Sequence, residues 1–222
     1  MIRADAGPPV LAVDGPTASG KGTVCRLLAA RLGFHLLDSG AIYRAFALAI
    51  RRSGDNISEI SHLKEKAQVF SLDFRGDRII VDDIDSTLET RGEEIGLLAS
   101  RLAAIPEVRS SLLQRQRMFA RPPGLVADGR DMGTVVFPRA QLKVFLTATL
   151  NERARRRSAQ QPEIDAREIV AAIRRRDDQD RNRAIAPLRL AEGAVMVDNA
   201  GHQPEETADI IERLWRRLSA SN

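Results

Sequence analysis

Five short apolar runs punctuate the chain, at Val10–Val13, His35–Leu37, Leu125–Ala127, Leu142–Leu146 and Val195–Val197. Each is short and bounded by turn-forming residues, as expected of a strand buried on both faces. Longer segments with apolar residues three and four apart separate them: Lys21–Leu32, Gly40–Arg52, Gly92–Ala104, Val108–Phe119, Thr149–Arg157, Ala166–Arg175 and Glu205–Leu218. These read as amphipathic helices. Strands alternating with helices predict an α/β fold, a parallel five-stranded sheet flanked by helices. Phe70–Phe74 and Arg78–Val81 flank Gly76–Asp77 and predict a small antiparallel hairpin inserted in that scheme. Pro106, Pro122, Pro123, Pro138 and Pro204 fall at the boundaries, and no repeat or long linker interrupts the 222 residues, so one domain with inserted subregions is expected.

Composition narrows the picture. Aromatic residues are only 4%, so the core must rest on Ala, Leu, Ile and Val. The formal net charge of +4 is not evenly spread: between Arg153 and Arg183 stand ten arginines against six acids. Such a field suits an anionic ligand, a nucleotide phosphate or a nucleic acid. The single cysteine, Cys25, allows no internal disulfide, and no Cys/His spacing suits a metal, so a cytoplasmic setting is expected. The first ten residues, MIRADAGPPV, lack a basic segment followed by an apolar run, and no stretch approaches the ~18 apolar residues of a membrane span.

The strongest local signal follows the first strand. Gly15, Pro16, Thr17, Ala18, Ser19, Gly20, Lys21, Gly22 and Thr23 lie between that strand and the helix after it. Glycines there let backbone N–H groups turn toward phosphate oxygens, the helix N-terminus adds partial positive charge, and Lys21 adds a full one, read as a solvent-facing loop lysine. Gly22 stands where the usual pattern has the hydroxyl residue, which comes one place later at Thr23. A Mg²⁺ accompanying ATP would then be held by phosphates and water. Leu125-Val126-Ala127-Asp128 ends a buried strand in an acid, and Asp128 is the expected metal-side carboxylate, acting through water.

Four segments in register extend the pattern: Gly15 to Thr23, Leu37-Asp38-Ser39-Gly40-Ala41-Ile42-Tyr43-Arg44, Ala127-Asp128-Gly129-Arg130-Asp131-Met132-Gly133-Thr134, and Arg176-Asp177-Asp178-Gln179-Asp180-Arg181-Asn182-Arg183. From about residue 9 to about residue 217 the chain resembles the bacterial-type cytidylate kinases. The resemblance implies an adenylate-kinase-like P-loop fold in one domain, residues 1–222. It implies a monophosphate-binding region at about 39–121, containing the hairpin, and an arginine-rich lid at about 153–176. It further implies transfer of the γ-phosphoryl of ATP to CMP or dCMP, in pyrimidine nucleotide metabolism, by a monomer without nucleic-acid or membrane partners. By matching position, Arg44, Arg130 and Arg183 are implied ligands of the acceptor phosphate. Ser100, Arg109 and Asp131 are implied readers of cytosine, Arg176 and Asp180 sugar contacts, and Ser39 and Tyr43 pocket lining. Lys21 and Arg130, with Arg153 and Arg157 of the lid, are the implied stabilisers of the transferred phosphoryl. The arginines suit this on chemical grounds too, since a planar fork binds phosphate at two points and keeps its charge.

A phosphate monoester acceptor is largely dianionic at neutral pH and needs no general base. Catalysis is then positioning plus suppression of repulsion between anions. Competing readings are a kinase for UMP, AMP or shikimate, and an ATP-dependent nucleic-acid-binding protein. The second expects aromatic stacking platforms, which seven Phe, one Tyr and one Trp at mostly core spacing do not offer.

Overall fold

The computed structural model of the protein describes residues 7–76 and 78–220. Asp77 of the expected hairpin turn and the first six residues lie outside the described residues. The chain divides into two compact units, the first built from the chain up to Leu37 and from Phe119 onward, the second Asp38–Met118.

The first unit is organised by β1 (Val10–Asp14), whose five residues are all buried. Continuous Val, Leu and Ala without a polar alternation is the pattern of a strand covered on both faces. The glycine loop leads from β1 into α1 (Lys21–Leu32), which ends on Gly33 in the left-handed region at φ 65°. A residue without Cβ takes that backbone without strain. β2 (His35–Asp38) follows. After the second unit the chain returns with β6 (Leu125–Gly129), β7 (Leu142–Thr147), α7 (Leu150–Gln160), α8 (Ala166–Asn182), β8 (Val195–Asp198) and α9 (Pro204–Ala220). The parallel sheet has the order β2-β6-β1-β7-β8. β1 sits at its centre, with Asp14 level with Gly129 on one side and with Phe145 on the other.

One core packs α1 and α9 on the sheet: Leu11, Val13, Leu28, Val126, Leu146, Ile211 and Trp215 are buried together, and Cys25 serves as a small apolar member. Phe34 meets Trp215 edge-on with centroids 5.5 Å apart. Leu218, three residues beyond Trp215 on α9, is 42% exposed and lies outside it. A smaller cluster of Ala154, Ile169 and Ile173 joins α7 to α8.

The second unit holds α2 (Ser39–Ser53), capped by the Asp38 side chain, which accepts from the Ala41 N–H at 2.9 Å. α3 (Ile60–Val69) and the sheet β3 (Leu72–Arg75), β4 (Arg78–Val81) and β5 (Ile84–Asp85) come next, then α4 (Thr87–Arg91), α5 (Glu93–Leu102) and α6 (Pro106–Arg117). The expected hairpin is present and gains β5 as a third antiparallel strand. Its first strand begins at Leu72 rather than Phe70, because Phe70 closes α3. The Phe70 ring packs 5.4 Å from Phe46 and lies under the Arg115 guanidinium at 4.3 Å, contacts that an alternating strand would not give it.

Gly15 has no room for a side chain. A Cβ there would lie 2.0 Å from the Leu146 carbonyl oxygen of β7. Gly15→Ala must therefore push the loop off the sheet, and an unfolding cost of at least about 2 kcal/mol is expected. Urea denaturation of the purified variant checks it; a midpoint equal to the parent's would mean that the loop moves aside freely.

Candidate active site

The phosphate loop spans residues 15–20, between the end of β1 and the start of α1. Gly20, the residue before the helix, is left-handed at φ 88°, and Ala18 shares that region at φ 56°. Val24 N–H closes the first helical bond to Gly20 O at 3.2 Å, so the amides of Lys21, Gly22 and Thr23 have no partner along the helix. A row of free amides plus the helix dipole makes this end an anion site.

Lys21 departs from the sequence expectation. It is buried at 5% exposure rather than solvent-facing, with Nζ donating to Pro16 O at 2.9 Å and to Ser19 Oγ at 3.4 Å. Burial, and then the Arg130 charge, push its ammonium down from 10.5 to about 8. The spacing of the motif gave no sign of this, because a long stem can fold back onto its own loop.

Asp128 sits at the end of β6, level with Val13 of β1, and is buried. One of its oxygens lies 3.5 Å from where a Gly22 Cβ would stand, so the carboxylate faces the start of α1. Among the described residues no three His, Cys, Asp or Glu side chains are grouped to hold a metal ion. A carboxylate beside a phosphate loop, without a full set of protein ligands, fits Mg²⁺, which keeps its waters and takes phosphate oxygens, and would not suit a metal that needs a full protein cage.

Arg130 follows β6 and is locked by Asp180 of α8, its Nε donating to Oδ2 at 2.7 Å. Burial works against its charge, and the Asp180 carboxylate more than offsets that. Arg176 approaches the other Asp180 oxygen at 3.7 Å. Arg183 donates from Nε to Ala186 O at 2.7 Å. Arg153 is buried, giving Nε to Ala148 O at 3.2 Å and Nη1 to Thr17 O at 3.1 Å and to Asp177 at 2.6 Å. Arg157, one turn along α7, is half-buried and makes no side-chain hydrogen bond or ion pair with the described residues. Asp131 is buried at the start of a single π-helical turn, Met132–Val136.

In the second unit, Arg44 of α2 donates to Thr90 O at 2.9 Å and Gly92 O at 3.2 Å. Its guanidinium rests on Gly96, where a Cβ would come within 2.9 Å of Nη2. Arg109 of α6 is buried, donates to Ala103 O at 3.2 Å and stands 5.9 Å over the Tyr43 ring. Ser39 is buried at the start of α2, and Ser100 is half-buried on α5.

Two further residues, Asp14 and Asn199, escaped the sequence reading. Asp14 ends β1 at 3% exposure and takes two backbone N–H groups, Met132 and Gly133, each at 2.8 Å. Burial drives its carboxyl up from 3.8 to about 6 even against those two bonds. An acid directly before the phosphate loop was the available signal. Asn199, just past β8, donates to Ser19 O, and Arg156 bonds to Asn199 O at 2.7 Å and to Ser19 O at 3.3 Å. Nothing in the sequence near Asn199 marks this.

A parallel sheet with a glycine loop after its central strand and a buried lysine opening the next helix defines a P-loop nucleotide-binding fold. The chain belongs to the cytidylate kinase family, whose model, described as Cytidylate kinase, matches residues 11–217. A cytidylate kinase of Marinomonas sp. (strain MWYL1) is 47% identical, with 91% of this chain and 93% of that one aligned. One of Azotobacter vinelandii is 47% identical over 96% of each chain. Among solved structures, a protein of Thermus thermophilus superposes with a TM-score of 0.49 at 21% identity, over 96% of this chain and 99% of that one.

The depressed Lys21 value has a thermodynamic consequence. Its folded-state pKa of about 8 lies below the 10.5 of a free lysine, so the fold disfavours the ammonium. That penalty is complete below pH 8 and is relieved as pH rises from about 8 toward 10.5. Lys21→Met is expected to match or exceed the parent in stability at pH 7, with the advantage shrinking by about pH 10. Its turnover should fall at least about hundredfold. Urea titrations at both pH values and a kinase assay on the same sample check this. A large loss of stability at pH 7 would show that the bond to Pro16 outweighs the burial.

Proposed function

We propose that this enzyme transfers the γ-phosphoryl of ATP to CMP or dCMP, giving ADP and CDP or dCDP. The observation that carries the reading is the arrangement at the carboxyl ends of β1 and β6, with the phosphate loop and Lys21 following one strand and Asp128, Arg130 and Asp131 at or just past the end of its neighbour. The loop amides and Lys21 would hold the donor phosphates. Arg130, kept charged and oriented by Asp180, would meet the acceptor phosphate, with Arg183 as a second cation. Asp128 would hold a Mg²⁺ through water, and that ion would neutralise donor phosphate charge. Arg157 has uncommitted donors for the transferred group, whereas Arg153 acts in this reading by bracing the loop at Thr17. The acceptor roles of Ser39, Tyr43, Arg44, Ser100 and Arg109, and the sugar contacts of Arg176 and Asp180, rest on their motif positions. Exclusion of water by the α7–α8 lid segment would keep ATP from being hydrolysed.

Asp131 supports cytosine as the base. Its carboxylate accepts well from the exocyclic amine of cytosine, whereas uracil presents a carbonyl oxygen at that position. An ADP-release assay across CMP, dCMP, UMP, AMP and shikimate tests the proposal, with the two cytidine nucleotides expected to lead. Asp131→Asn supplies a donor to the uracil carbonyl. It should lower kcat/KM for CMP and narrow the CMP-to-UMP ratio by roughly ten- to hundredfold, at ~1.4 kcal/mol per decade. A ratio that stays put while activity drops would remove Asp131 from base recognition.

A further inference from the structure

Asp14 takes no part in the mechanism above, yet it is among the most buried carboxylates of the first unit. Its Oδ1 accepts from Met132 N–H and its Oδ2 from Gly133 N–H, both at 2.8 Å. Those are the first two amides of the π-helical turn Met132–Val136. Further along, Val135 and Val136 donate to Asp131 O at 2.9 and 3.1 Å, and Phe137, just past the turn, donates to Met132 O at 2.7 Å. The two leading amides have no such partner, and the carboxylate of a residue 118 positions earlier supplies both.

We propose that Asp14 is a positioning residue that fixes the Arg130–Asp131 corner, and with it the acceptor side of the reaction, from the strand that carries the phosphate loop. This rests on the reading of Arg130 and Asp131 as acceptor ligands. The geometry favours a carboxylate over any other short side chain. Two adjacent N–H donors need two acceptor oxygens and no donor, and of the short residues only Asp meets both conditions. Asparagine would set an amide hydrogen against one N–H, and serine would reach only one. The corner cannot relax on the other side either. A Cβ on Gly133 would lie 3.2 Å from Ala191 Cβ and 3.3 Å from the Lys143 side chain. Arg130 is already pinned by Asp180, so a shift of residues 132–133 is transmitted to the chain between two fixed points. Short π-helical turns recur at functional sites, where they aim a side chain that a regular helix would misdirect, and here the residue opening the turn is Asp131.

Asp14→Asn measures it. The KM for CMP is expected to rise about ten- to hundredfold, the range set by one unsatisfied buried N–H. The KM for ATP should stay within about threefold, since the phosphate loop keeps its own contacts. A merely structural cap would lower the melting temperature and leave both KM values alone, and that result overturns the proposal. So does an equal rise in both, which would place the action of Asp14 on the loop it precedes. The parent enzyme runs alongside: no CMP turnover in the parent sinks the functional reading, whereas an active parent beside an unaltered variant sinks only this inference. Asp14→Ser, which keeps one acceptor, should fall between parent and Asp14→Asn and serves if the asparagine variant does not fold. Should neither fold, hydrogen exchange in the parent decides. Met132 and Gly133 amides are expected to exchange slowly, and exchange as fast as in unfolded chain would exclude the clamp.

Discussion

Charge buried at the carboxyl ends of two parallel strands is the constraint on which the first unit depends. Asp14, Lys21, Asp128, Asp131, Arg153, Asp177 and Asp180 are all buried there or in the helices beside it. Desolvation of that many ionisable groups would cost several kcal/mol each if they stood alone. The fold answers with pairs and with backbone donors: Arg130 to Asp180, Arg153 to Asp177, Asp14 to two amides, Lys21 to a loop carbonyl. The compensation falls short for Asp14, at the end of β1, and for Lys21, at the start of α1. Asp14 is held up near 6 and Lys21 down near 8. A site that must meet several phosphate charges has its lysine already stripped of water, which strengthens its action on an anion.

Most of the framework was legible because its signals are local. Continuous apolar runs marked all five strands of the large sheet, and α1 matches its expected span, from the lysine after the glycine loop to the residue before Gly33. What escaped was short or depended on distant partners. α3 has Leu63 and Ala67 as its buried positions and no side-chain cap, so Phe70 looked like the start of a strand. α4 is five residues long and β5 two, too short for any period to declare itself. The π-helical turn at Met132 is stabilised from Asp14, far away in the chain, and no local pattern announces it.

The candidate site divides the same way. The motif residues carried chemistry that could be read at once: a glycine loop, an acid after an apolar run, arginines in blocks. Their states could not be read. Lys21 is folded onto its own loop, and Arg153 has its guanidinium committed to Thr17 and Asp177. Residue type specifies what a side chain can do, whereas only the surrounding chain specifies which of its donors remain free to do it.

The arginine-rich stretch shows how much turns on that distinction. In sequence it is a charge run, and the ordinary fate of such a run is a solvated helix face. α8 instead buries Asp177 and Asp180, three residues apart and therefore on one side of the helix. One carboxylate receives Arg153, which also grips the phosphate loop at Thr17 O; the other receives Arg130 beside Asp128. The helix thus ties the phosphate loop, through Arg153, and Arg130 to one element through two pairs. Breaking either would strand a buried charge at a cost of about 3–5 kcal/mol. The acids on this helix matter to the site as much as its arginines, because they decide which guanidinium groups are anchored and which, like that of Arg157, make no ion pair with the described residues.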